Sequence, residues 1–149
     1  MSTENQIHLI GKNFRHEEIE AAGDISPGHL IGGDSSGTCV VHNTEGGVAA
    51  RAFAEIDALQ GNTLEDDYED GDLVMVNIEQ PGNECQAFLQ AGQNAAIGDL
   101  LISAGDGTLI VNGQESSGVT VYDYIAVARE ALDLSGSGAV DTLMRVHIL

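Results

Sequence analysis

Short apolar runs of alternating pattern, each closed by a glycine-centred turn, leave this chain few architectures to adopt. Turn signals stand at Gly32-Gly33, Gly46-Gly47, Pro81-Gly82, Gly105-Asp106-Gly107 and Gly136-Ser137-Gly138. The chain has 19 glycines and two prolines, Pro27 and Pro81. Glycine supplies the positive φ angles of tight turns without steric cost, so this balance points to many turns and not to disorder. Between the turns the apolar residues keep a period of two, as half-buried strands do. Met144, Val146 and Ile148 alternate with Arg145 and His147, and Val74, Val76 and Ile78 share one face of Leu73–Ile78. Leu100–Ser103 and Thr108–Val111 flank Ala-Gly-Asp-Gly, which reads as a hairpin. Further short strands fit His29–Ile31, Thr38–His42, Val48–Phe53 and Cys85–Leu89. In the segment beginning at Val119, the residues Val119, Val121, Ile125 and Val127 share a face. Ile125–Leu132 reads either as a helix or as a continuation of that strand.

The expected fold class is therefore all-β: a small single-domain β-barrel or β-sandwich with short hairpins and at most one short helix. At 149 residues the chain fits one domain. Residues 1–20 are polar and suited to an N-terminal arm, possibly extended, and residues 21–149 form the β-domain.

Charge narrows the functional classes. Asp and Glu number 24 against five Lys and Arg (Lys12, Arg15, Arg51, Arg129, Arg145), for a formal net charge of −19. Self-repulsion of that size destabilises a compact state in dilute buffer. At about 1 M salt the Debye length shrinks to about 3 Å and the repulsion is screened, which suits a protein adapted to very high salt. Nucleic acid and anionic membranes are disfavoured partners, because both require clustered Lys and Arg. The start of the chain has no signal-peptide apolar core, and no stretch approaches about 18 apolar residues, so a soluble chain made in the cytoplasm is expected.

No credible catalytic set emerges. Gly33-Asp34-Ser35-Ser36-Gly37 matches the G-x-S-x-G nucleophile pattern, but a strand follows where the motif needs a helix. His29 and His42 lie nearby only in sequence. A small serine hydrolase using Ser35 is the alternative from the enzyme class. The run Glu65-Asp66-Asp67-Tyr68-Glu69-Asp70-Gly71-Asp72 fails the EF-hand pattern at Tyr68 and Asn77, and reads as a solvated acidic loop that gathers cations weakly at most. His8, His16, His29, His42 and His147 lack zinc spacing, and no cofactor or metal is expected. Cys39 and Cys85 read as small buried hydrophobes.

Several phrases in order also carry a resemblance. They are Ile25-Ser26-Pro27-Gly28-His29-Leu30-Ile31, then Ala49-Ala50-Arg51-Ala52-Phe53-Ala54-Glu55 with Leu59-Gln60-Gly61-Asn62-Thr63-Leu64, and Tyr68-Glu69-Asp70-Gly71-Asp72-Leu73-Val74. Pro81-Gly82-Asn83-Glu84 follows, then Gly98-Asp99-Leu100-Leu101-Ile102-Ser103-Ala104-Gly105-Asp106-Gly107-Thr108-Leu109, and the closing stretches Ala126–Asp133 and Arg145–Leu149. Over residues 14–149 the chain resembles the capsid decoration (head-stabilising, cement) proteins of tailed bacteriophages and haloarchaeal viruses. Ile56-Asp57-Ala58 departs from the family's pattern, and the arm is not matched. The resemblance implies a non-enzymatic β-barrel subunit on the outer head surface of the virion, with the major capsid protein and its own copies, as a homotrimer, for partners. A tail, turret or vertex component is the alternative within the particle. Candidate contact residues are Ile7, Leu9, Ile10 and Phe14 on the arm, with Arg145 and His147 on the exposed side of the last strand.

Overall fold

The computed structural model describes residues 5–120 and 122–149 and is almost wholly β. Its centre is a closed five-stranded barrel. The strands are β7 (Glu84–Leu89), β10 (Leu109–Val111), β9 (Leu100–Ser103), β11 (Ala126–Ala128) and β13 (Thr142–Ile148), and β13 pairs back onto β7. Closing a sheet on itself removes its unpaired edges. The longest seam is β7–β13, six antiparallel pairs from Thr142↔Leu89 to His147↔Glu84. Alternation along the strands sends Cys85, Ala87 and Leu89, Met144, Val146 and Ile148, and Ala126 and Ala128 inward, all at most 1% exposed. Such small and medium side chains suit a barrel this narrow, whose interior has room only for packed side chains.

A second layer lies beside the barrel. β2 (Arg15–Glu20), β6 (Leu73–Ile78) and β5 (Ala52–Ala54) form a three-stranded sheet, and β3 (Ile31–Gly33) pairs with β4 (Cys39–Val41) in a hairpin. They enclose their own apolar cluster around Ile25, Cys39, Tyr68, Val74 and Val76. Two places stitch the cores together by plain alternation. Leu30 and Phe53, bridged to each other, point into the barrel core, while Ile31, Ala52 and Ala54 point into the second. The remaining strands are β1 (His8–Ile10), laid on the edge of β7, and the pair β8 (Asn94–Ala95) and β12 (Leu132–Asp133).

The expected hairpin forms as β9 and β10, in register Leu109↔Ser103 to Val111↔Leu101. Its turn is held by Asp106, which accepts hydrogen bonds from the Thr108 amide and hydroxyl. Gly107 is required there. Its φ is +86°, and a Cβ would sit 2.8 Å from Val41 Cβ. The segment Leu73–Ile78 is a strand throughout, with Val74 and Val76 buried.

One open alternative is decided, for the strand, and two expectations are corrected. The stretch Ile125–Leu132 is not helical; it is strand β11 followed by a bend and the start of β12, because Ala126 and Ala128 fill the barrel. The only helical element among the described residues is a 3-10 turn at Ala58–Gln60, closed by Gly61 at φ 78°. Val119, Ile125 and Val127 do not share a strand face: residues 119–125 are irregular where described, Ile125 is buried, and Val127 points outward. Val121 lies outside the described residues, as do residues 1–4 of the expected arm. The strand expected over Val48–Phe53 begins only at Ala52, with Val48 79% exposed.

Cys39 and Cys85 are both free and buried, one in each core. Burial pushes the Cys85 thiol well above its usual range, and the carboxylates of Glu79 and Glu55 add to the effect. The irregular stretch before β11 is fastened by Asp123. Its carboxylate receives a two-pronged contact from the Arg51 guanidinium and a hydrogen bond of 3.0 Å from the Ala49 amide. Arg51 also donates to the carbonyls of Tyr124 at 3.0 Å and Leu149 at 3.2 Å.

The Arg51 hydrogen bond holds the Asp123 carboxyl below the usual carboxylate range. A depressed folded-state value gives stability that is present above the unfolded value, about pH 4, and is lost as pH falls through the folded one. Asp123→Asn is therefore expected to cost about 1–3 kcal/mol at neutral pH, with the gap to the parent protein closing below about pH 4. Denaturant unfolding of both proteins across that range checks it; a gap that does not depend on pH contradicts it.

Candidate interaction face on the barrel wall

Register aligns one row of side chains across five strands. Leu100 of β9 pairs with Val127 of β11, Val127 with His147 of β13, His147 with Glu84 of β7, and Glu84 with Ile10 of β1. Cβ direction alternates along a strand, so the inward Ala126, Val146 and Cys85 force their neighbours Val127, His147 and Glu84 outward. The row thus runs over the outer wall of the barrel.

At its centre Glu84 accepts from Arg129 Nε at 3.0 Å and from Arg145 Nε at 2.7 Å. An Arg145 terminal nitrogen stands 2.7 Å from the same carboxylate. The Glu84 side chain is 12% exposed, against 50% for Arg129 and 37% for Arg145, so the carboxylate lies under two forward-facing guanidinium groups. With Ile10 these three residues line a shallow recess of about 290 Å³. Ile10, 53% exposed, is its apolar lining, and Leu100, 37% exposed, stands at the far end of the row.

Two carboxylates, one of them buried, position β1 on this wall. Glu55 accepts from the amides of Ile7 and His8, each at 2.9 Å, and from Asn77 Nδ2 at 3.1 Å. Glu79, whose side chain is fully buried, binds His8 Nδ1 at 2.9 Å and Asn83 Nδ2 at 2.9 Å. The His8 ring stacks on Phe14 at 4.3 Å between centroids, which places Phe14 beside the row.

Of the six contact candidates read from the sequence, Ile10 and His147 fall on this row, Arg145 lies beside it and reaches Glu84 with its side chain, and Phe14 stacks on His8. Ile7 is fully buried in the barrel core, where its side chain serves packing. Leu9 is half-buried in β1. Sequence reasoning missed Glu84, Arg129, Val127 and Leu100. Arg129 stands two positions after outward-facing Val127, but only the strand register tells which residues meet.

The neighbours of the places that suggested chemistry are engaged in structural bonding. Asp34 caps the β3–β4 turn, accepting from the Ser36 amide at 2.8 Å and the Thr38 hydroxyl at 2.6 Å. Ser35 sits exposed on that turn. His29 Nδ1 accepts from the Ser26 amide at 3.0 Å, and burial lowers the pKa of His29. His42 bonds Ser103 Oγ at 2.7 Å and the Val48 carbonyl at 3.1 Å, with Ser103 fully buried. In the acidic run, Asp66 caps the turn at Thr63 and Asp72 accepts from the Glu69 amide. Tyr68 there is a buried anchor that donates to the Glu55 carbonyl at 2.6 Å, and burial pushes its hydroxyl up to about 12. Among the described residues no group of three or more His, Cys, Asp or Glu is placed to hold a metal ion.

No protein-family model matches the sequence, and comparison with curated protein sequences gives no match. Among solved structures the chain is similar to the N base of the head fiber gp8.5 of bacteriophage phi29, with a TM-score of 0.55 and 18% sequence identity. The match covers 92% of this chain and 95% of that one. At this identity the likeness is one of fold, and it extends over nearly the whole of both chains.

Because Glu55 satisfies two backbone amides of the β1 segment, Glu55→Ala is expected to loosen that segment without opening the barrel. Amide exchange at Ile7 and His8 should accelerate about 10- to 100-fold, the consequence of losing about 1.4–3 kcal/mol of local hydrogen bonding, while Val146 stays protected. Equal protection of Ile7 and His8 in both proteins contradicts the assignment.

Proposed function

We propose that this chain is a non-enzymatic structural protein of a tailed-virus particle, a decoration subunit that cements the outer head surface and is adapted to very high salt. The observation that carries the reading is the likeness in fold, over more than nine-tenths of both chains, to the base of a bacteriophage head fiber. The order and spacing of the phrases that resemble decoration proteins support it independently. So does the form of the molecule: a closed barrel in which Thr38, Ser103, His29 and His42 bond within turns and packing, with an outer face that combines apolar and charged side chains. The neighbour being the base of a projecting fiber favours a second reading, in which the chain is the base of an appendage at a vertex or on the tail.

On the decoration reading the subunit attaches to the major capsid protein and associates with its own copies as a homotrimer. Copies that each carry a net charge of −19 approach closely only when salt screens them. Dialysis from about 3 M to about 0.1 M NaCl is therefore expected to dissociate or unfold the oligomer, with Cys39 and Cys85 becoming reactive to a thiol reagent if the fold opens. Unchanged sedimentation, circular dichroism and thiol protection contradict the high-salt adaptation.

Location is tested by immunogold labelling of intact virus particles with antibody to the purified chain. Label spread over the heads supports the decoration role, and label confined to one vertex or the tail moves the chain to the second reading. Particles without label contradict both.

A further inference from the structure

Strand β1 is held by groups that lie far from it in the chain. Glu55 accepts from the Ile7 and His8 amides, and Glu79 binds the His8 ring. Gln86 donates its backbone amide to the Ile7 carbonyl at 2.8 Å and its Nε2 to the Gln6 carbonyl. The Ile7 side chain is fully buried in the barrel cluster. The partners of these hydrogen bonds stand 47 to 80 positions away. The site therefore recognises the sequence Gln6-Ile7-His8, and not the route by which the chain enters it. Only the link of residues 11–14, leading into β2, makes this strand part of its own copy.

The distortions of the region collect on that link. Gly11 lies at φ +129°, where a Cβ would stand 2.0 Å from Asn83 Oδ1. Asn13, at φ 61°, is the one non-glycine residue with a positive φ among the described residues. The β1–β7 register shifts between His8↔Cys85 and Ile10↔Glu84, as the strand nears the link. Ile10, 53% exposed, and Phe14, 41% exposed, stand at the two ends of the link.

We propose that β1 is exchanged between copies of this chain, residues 5–10 of each copy lying on the β7 edge of a neighbour; this rests on the self-association reading above. The exchanged strand has the same sequence, so every contact of the site is kept while the link is free to extend. Short links under strain favour such exchange. Ile10 and Phe14 then supply apolar surface where the extended links of two copies cross. Handed on in one direction, the exchange closes into a ring, which is compatible with a homotrimer. Salt screens the repulsion between the acidic bodies, and Ile7 buried in a neighbour's core holds them together without any cationic contact.

The test is methyl NMR on the full chain in high salt, after equal amounts of isotope-labelled and unlabelled chain have been unfolded together and refolded. Nuclear Overhauser contacts between the Ile7 methyls and methyls of the barrel cluster, filtered for pairs in different copies, are expected in the oligomer. An oligomer that shows those contacts only within one copy overturns the exchange and leaves self-association standing. A chain that sediments as a monomer overturns both. A short Gly-Ser insertion between Lys12 and Asn13 supplies a second test, because it relaxes the link without touching the site. The lengthened chain is expected to lose the oligomer and sediment as a monomer with the parent's circular dichroism. An oligomer that persists unchanged after the insertion overturns an exchange driven by the link.

Discussion

The β7–β13 seam is the constraint on which the rest of the structure depends. Its six pairs close the barrel, and closure fixes which side of every strand faces in. The same register that buries Met144, Val146 and Ile148 lifts Arg145 and His147 onto the outer wall, where Arg145 meets Glu84. A slip of one residue would turn Arg145 and His147 into the core and expose three apolar side chains. Fold stability and the candidate interaction face are thus two readings of one hydrogen-bond register.

Around that seam, polar groups take the place that a larger core would fill. Glu55 and Glu79 hold β1 through backbone amides, His8 and Asn83, and Asp123 with Arg51 fastens the irregular stretch before β11. Turns are capped by Asp34, Asp66, Asp72 and Asp106. Much of the acidity that stands out in the composition therefore has structural duties.

Strands were legible wherever alternation was strict: Met144, Val146 and Ile148 in the barrel and Val74 and Val76 in the second sheet show as patterns, because a strand with one buried face has to alternate. The almost wholly buried β9–β10 hairpin showed instead through its Asp-Gly turn. Strands β1 and β2 gave no such sign: Arg15–Glu20 is mostly charged, and β1 is held by carboxylates 47 and 71 positions away. Ile125–Leu132 read both ways because alanine, small enough to fill a narrow barrel, is also the best helix former. Arg145 and His147 were found as an outward pair from local alternation alone. Their partners were not: Glu84 lies 45 positions from Arg129 and 61 from Arg145, and only closure of the barrel brings the three together.

The central claim is the proposal that this fold coats a viral head in many copies. The most direct test is the copy number of this chain per major capsid protein, by quantitative mass spectrometry of purified particles. The account predicts hundreds of copies per particle in a simple ratio to the shell protein. A handful of copies, or none, contradicts it.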